Sequence, residues 1–148
     1  MGGVGFLGAE WLALARELFG SVGPCAGATA RIQRVVTGAP GGDVMLTLTF
    51  EDGRLVDAAR AVGDPPDPDA ELTITTTYTD TLLLASGDLD LSAAVMQGRA
   101  KVAGSIRALL AILPATRSRE FRAARAALHE RTADPGEAGD GGDAGGAG

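Results

Sequence analysis

The stretch Gly87-Asp88-Leu89-Asp90-Leu91-Ser92-Ala93-Ala94-Val95-Met96-Gln97-Gly98-Arg99-Ala100-Lys101-Val102-Ala103-Gly104 constrains the fold more than any other part of this chain. It reads as a helix stop, a turn, one short amphipathic helix, a second stop and a short strand. Gly87 and Gly98 stand where a helix end favours positive φ. Asp90 stands where an N-cap oxygen is wanted. Leu91, Ala94 and Val95 fall at i, i+3 and i+4 and make one apolar face. A helix this short cannot bury that face by itself, so it must lie on a larger surface, and the strands flanking it make that surface a sheet. None of these residues carries catalytic chemistry.

The rest of the chain supplies the sheet. Val44, Leu46, Leu48 and Phe50 alternate with Met45, Thr47 and Thr49, which predicts a strand with one fully hydrophobic face. Ala30 to Thr37 reads as a strand on its Ile and Val content, joined to the next by Gly38-Ala39-Pro40-Gly41-Gly42. Glu51-Asp52-Gly53 is a hairpin turn signal. Residues 54–62 fit a helix nearly as well as a strand, and the turn before them favours the strand. Leu72, Ile74, Thr76 and Tyr78 alternate with threonines and predict another. Helices are expected over about 6–19 (Leu7, Trp11, Leu14, Leu18), after a cap at Thr79 or Asp80 (Leu82, Leu83, Leu84), and from Ile106 to a break or kink at Pro114. A last helix is expected over about 116–131 (Phe121, Ala124, Leu128). The loop Asp64-Pro65-Pro66-Asp67-Pro68-Asp69 reads as stiff and exposed.

Composition bounds the function. Hydrophobic residues are 45% of the 148 and aromatics only 4%, so the core must be aliphatic. The formal charge is −6; residues 134–148 carry four acids and no base, which leaves the remainder near −2. Nucleic acid is therefore disfavoured as a partner. The Gly, Ala and acid of that tail cannot offset its ordering entropy and are expected to be disordered. Cys25 is a lone thiol. Neither a secretory leader nor an apolar run long enough to span a bilayer is apparent, so a cytoplasmic location is expected. Twelve arginines against one lysine, with much Ala and Gly, suit a GC-rich bacterial genome.

Catalytic groups are thin. His129 is the only histidine and reads as a solvated helix residue. No metal-ligand spacing or phosphate-binding loop occurs, and neither cofactor nor catalytic residue is expected. Arg117, Arg119, Arg122, Arg125 and Arg131 have two readings: a patch for anionic headgroups, or a solvated helix face.

From Asp43 to Pro114 the chain resembles the sterol carrier protein type-two lipid-binding domain. The matching elements are Val44–Phe50 with Glu51-Asp52-Gly53, Glu71–Thr75, Tyr78-Thr79-Asp80 before a leucine helix, Gly87–Asp90, Met96–Gly104, and Ile106–Leu113. The order of elements is more specific than any one motif. Ser105 stands where an acid often follows the last glycine, and Ala100 where a larger aliphatic is usual. The resemblance implies an α/β (α+β) fold: a five-stranded mixed sheet covered on one face by helices, enclosing an apolar tunnel, over about 5–131, with 132–148 as the tail. It implies non-covalent binding of a sterol, fatty acid, fatty acyl-CoA or isoprenoid, without catalysis. It leaves open an accessory role beside a lipid-metabolising enzyme. The expected tunnel residues are Leu46, Leu48, Phe50 and Ile74 of the sheet, Leu83, Val95, Met96, Leu109, Leu110 and Leu113 of the covering helices, and Phe121 at the mouth. The expected partners are the lipid and, transiently, an anionic membrane surface; oligomeric state is left open.

Overall fold

The computed structural model describes residues 5–22, 25–60 and 69–133. The elements are α1 (Ala9–Gly20), β1 (Ala30–Thr37), β2 (Val44–Glu51), β3 (Arg54–Arg60), β4 (Leu72–Thr77), α2 (Tyr78–Ser86), α3 (Leu91–Met96), β5 (Lys101–Gly104), α4 (Ile106–Thr116) and α5 (Arg119–Glu130). The proline-rich loop apart from Asp69, the first glycines and the acidic tail lie outside the described residues.

Five strands form one mixed sheet in the order β3-β2-β1-β4-β5. β1 is central. It pairs antiparallel with β2, Ile32 opposite Leu48, and parallel with β4, Ile32 opposite Leu72. Because strand side chains alternate, this register gathers Ile32, Arg34 and Val36 with Val44, Leu46, Leu48, Leu72 and Ile74 on one face. Gln33, Thr47, Thr73 and Thr75 share the other.

The β2–β3 hairpin closes through Asp52 and Gly53, both at positive φ (49° and 86°), as a two-residue turn of the primed type requires. The turn is pinned to the segment before β1: Cys25 N–H donates to the Asp52 carbonyl at 2.6 Å and Gly53 N–H to the Ala28 carbonyl at 2.8 Å. The ladder shifts between Thr49 and Phe50, so that Thr49 faces Asp57 but Phe50 faces Leu55. Val56 is the extra residue of this bulge, and the shift turns Leu55 onto the helix-covered face, where it is buried.

The helices cover that face in two groups. Leu14, Ala15 and Phe19 of α1 pack with Val22, Leu55, and Ala124 and Leu128 of α5. Ala94 of α3 and Ala108, Leu109 and Ile112 of α4 pack with Ala30, Ile32, Leu72 and Ile74. Phe50 touches both groups.

Several helix boundaries differ from the sequence expectation. α2 is capped by Thr77, whose Oγ1 accepts from Asp80 N–H at 3.1 Å, not by Thr79 or Asp80. β4 runs into α2 without a loop, and the Asp80 carboxylate instead pairs with Arg99 at 2.7 Å. Pro114 neither ends α4 nor starts the next helix. It occupies the last turn, where the missing N–H forfeits a single bond, and α4 runs on to Thr116. α5 accordingly begins at Arg119, capped by Ser118. Ser105 caps α4 by accepting from Ala108 N–H at 3.1 Å, which accounts for a hydroxyl at that position.

Two glycines of similar backbone but different surroundings give a test. Gly104 has φ 105°, and a Cβ there would lie 2.5 Å from the Glu71 carbonyl; Gly98 has φ 74° and open space around it. Gly98→Ala is expected to cost about 1 kcal/mol from backbone strain alone. Gly104→Ala must also push β5 from β4 and is expected to cost at least ~2 kcal/mol more by urea unfolding. Equal losses would show that the close approach at Gly104 is relieved without cost.

Candidate functional site

Between the two helix groups the sheet is not fully covered. A cavity of about 180 Å³ lies against Leu46, Leu48, Phe50 and Leu55 of the sheet, Trp11, Ala15 and Phe19 of α1, and Phe121 and Leu128 of α5. A second, of about 120 Å³, lies against Ala28, Ile32, Ile74, Ile112 and Ala115. The two adjoin, since Arg34, Leu48, Phe50, Leu91, Thr116 and Phe121 line both. For scale, an apolar cavity of ~150 Å³ stays dry and accepts benzene.

The packing rules explain the gap. α3 has only six residues and presents Ala94 to the sheet, and α4 presents Ala108 and Ala115. Small side chains let the helices approach but leave the sheet between them unfilled. Phe121 leans on Phe19, with ring centroids 4.7 Å apart. At the far end of α5 Trp11 Nε1–H donates to Thr132 Oγ1 at 3.1 Å. His129 is exposed to solvent and also lies on the lining of the larger cavity.

One charge sits among these apolar walls. Arg34 projects from the middle of β1 on the covered face, its backbone opposite Leu46 and Ile74. Its Nη2–H donates to Thr76 Oγ1 at 3.0 Å. The Thr76 and Thr81 hydroxyls lie 2.6 Å apart, and Thr81 O–H donates to the Thr77 carbonyl at 2.7 Å. Since Thr81 has one proton and spends it on that carbonyl, Thr76 donates to Thr81 and accepts from Arg34. Nε of Arg34 is buried without a partner. Burial lowers the guanidinium pKa from its usual value to about 10, which leaves it charged at neutral pH. Arg34 is half-buried overall and lines both cavities.

Of the residues singled out from sequence, Leu46, Leu48, Phe50, Ile74 and Phe121 line the cavities. Leu109 is buried beneath them, and Leu83, Val95 and Leu113 pack against the same cluster without reaching the lining. Met96 and Leu110 require correction: they are 86% and 61% exposed and lie on neither wall. Met96 ends α3 on the side away from Ala94, and Leu110 follows the buried Leu109 by one residue, which on a helix turns it outward. Sequence reasoning passed over Arg34, Trp11, Leu55, Leu91 and Thr116. The alternation Ile32-x-Arg34-x-Val36 was a sufficient signal for Arg34.

Comparison with known proteins places this geometry. The sequence profile of the SCP-2 sterol transfer family matches residues 25–114. The chain belongs to that family. No curated protein matches the chain significantly by sequence. Among solved structures, a conserved hypothetical protein of Thermus thermophilus, put forward as a sterol carrier protein, is 19% identical, with a TM-score of 0.66 over 91% of this chain and 95% of its own. A crystal structure of sterol carrier protein 2 is 15% identical, with a TM-score of 0.62 over 81% and 97%. The solution structure of palmitated sterol carrier protein 2-like 2 of Aedes aegypti is 15% identical, with a TM-score of 0.57 over 76% and 96%. At such identities the likeness is one of fold. It establishes the five-stranded mixed sheet with covering helices as the fold of this SCP-2 family member.

In this SCP-2 domain the unpaired Arg34 opposes folding, because an isolated charge loses its hydration on burial. Arg34→Met is therefore expected to stabilise the protein by ~1–3 kcal/mol, a rise of about 3–10 °C in Tm. A fall in Tm would mean that the bond to Thr76 outweighs the desolvation cost.

Proposed function

We propose that residues 5–131 form a non-catalytic lipid-binding unit whose ligand lies in the paired cavities. The observation that carries this reading is the adjoining pair of apolar-walled cavities on the helix-covered face of the sheet, in a member of the SCP-2 sterol transfer family. Two small adjoining cavities suit a slender flexible chain better than a rigid fused-ring body. The palmitated state of the Aedes aegypti relative supports an acyl chain as the occupant. Burying about ten methylenes contributes roughly 8 kcal/mol gross at ~0.8 per CH₂, which is about the free energy of micromolar binding before association and ordering costs are subtracted.

Trp11, the one tryptophan, borders the larger cavity and serves as the reporter. Titration of delipidated protein with 16-carbon amphiphiles is expected to shift its emission. A matched pair of substitutions locates the site. Phe121→Gln removes an apolar wall shared by both cavities and is expected to weaken binding about tenfold, the loss of roughly 1.4 kcal/mol of contact. Met96→Gln changes polarity on an exposed side chain and leaves binding unaltered. Equal effects of the two would displace the ligand from the cavities. Failure of every amphiphile to bind would favour an accessory role for the domain beside a separate enzyme.

We also infer that the bound lipid is exchanged at an anionic membrane surface, which adds transfer to binding. Arg117, Arg119, Arg122 and Arg131 are exposed on and beside α5, and none forms a salt bridge among the described residues. α5 carries Phe121 and Leu128 on the cavity wall, so a surface that attracts the helix also meets the wall of the site. The double variant Arg119→Glu, Arg122→Glu is expected to slow transfer from vesicles containing phosphatidylserine and leave transfer from phosphatidylcholine vesicles unchanged. Equal wild-type rates from both vesicles would remove the electrostatic contribution.

A further inference from the structure

We infer that Arg34 is the anchor for the head of the ligand, and that the ligand is a single-chain carboxylic acid held with its carboxylate inward. This rests on the reading that the cavities hold a lipid, and it adds the headgroup class and the orientation.

The argument is one of charge balance. Among the described residues, Arg34 is the only ionisable one on the smaller cavity. On the larger one the others are Asp90, Arg125 and His129. Among the described residues Asp90 is the one carboxylate on the lining; it caps α3 by accepting from Ser92 N–H at 3.1 Å, and it forms no salt bridge with Arg34. Among the described residues, then, the guanidinium is in no ion pair. One of its five N–H donors is held by Thr76, and Nε is buried with no acceptor. The hydroxyl chain through Thr76 and Thr81 ends on the Thr77 carbonyl, so it returns no negative charge either.

Arginine does not shed its proton to escape such a site. A buried cation is stable only when paired. The planar fork of a guanidinium matches a carboxylate in a bidentate pair. The walls around it are hydrocarbon, which fits what is attached to that carboxylate. An anchor that lines both cavities also leaves the chain apolar space to occupy on either side.

The test compares palmitic acid, methyl palmitate and hexadecanol, read by Trp11 emission and native mass spectrometry on wild-type, Arg34→Met and Arg34→Lys proteins. Wild-type protein is expected to bind the acid at least tenfold more tightly than either neutral analogue. Arg34→Met is expected to lose that preference while binding the neutral chains as well or better, and Arg34→Lys to keep part of it. Carbon-13 NMR of carboxyl-labelled palmitate supplies a second readout. The wild-type complex is expected to hold the bound acid's pKa below the usual carboxylate range; Arg34→Met raises its pKa or releases it. Should Arg34→Met fail to fold, the wild-type comparison of acid with ester and the NMR titration still decide. Equal wild-type affinity for acid and ester, or a bound acid that titrates like one in bulk water, overturns the anchor while leaving lipid binding intact. No binding of any chain overturns the lipid reading instead.

Discussion

The parallel pairing of β1 with β4 is the constraint from which the rest of the structure follows. Antiparallel neighbours can be joined by two residues, as β2 and β3 are. Parallel neighbours cannot, and the chain must leave the sheet and return. Here it first builds the β2–β3 hairpin on one side of β1 and then crosses to the other side for β4 and β5. β1 thereby becomes the centre of the sheet, with neighbours on both edges, and its inward side chains are the most deeply enclosed. The helices arrive from both ends of the chain, α1 before β1 and α2 to α5 after β4. They settle as two groups over the two halves of the sheet. The cavities lie between the groups, against both β1 and β2.

Placing Arg34 against these cavities reverses the usual relation between burial and stability. Ile32 and Val36 flank it on the same strand face and are almost wholly buried, as a central strand demands. An arginine between them costs folding free energy that no ion pair within the described residues returns. Such a cost is tolerated where the group has a use that folding alone does not reveal. The threonine hydroxyl chain is consistent with that view. It fixes the direction of every proton in the chain and holds the guanidinium in place without neutralising it.

Much of the fold was legible because strand alternation and helix stops are local signals. Val44 to Phe50 shows its two faces by parity alone, and Gly87, Asp90 and the Leu91-Ala94-Val95 triplet define a short helix without reference to its surroundings. The order of these elements carried the family resemblance. Residues 54–62 were ambiguous for a physical reason. The bulge at Val56 shifts the parity of the strand halfway along, so Leu55 and Ala58 share a face that no strict alternation would give them. The helix caps failed at Thr77 because a strand that runs directly into a helix leaves no loop residues to read. For the site, sheet residues were readable and helix residues less so. Which apolar residue of a short helix lines a void depends on how far its neighbours reach, and Met96 and Leu110 look no different in sequence from Leu91. Arg34 was legible by parity, but an apolar strand directs attention to its apolar members.

The voids themselves have a mechanical consequence. Close-packed interiors resist compression, whereas empty volume adjoining movable helices does not. Unfolding abolishes that volume, so hydrostatic pressure favours the unfolded chain in proportion to what is left unfilled. If the cavities hold a lipid as proposed, the protein is therefore softest when empty. Occupancy would then set not only its stability but its compressibility, and the empty and loaded forms would differ as materials even where their backbones coincide.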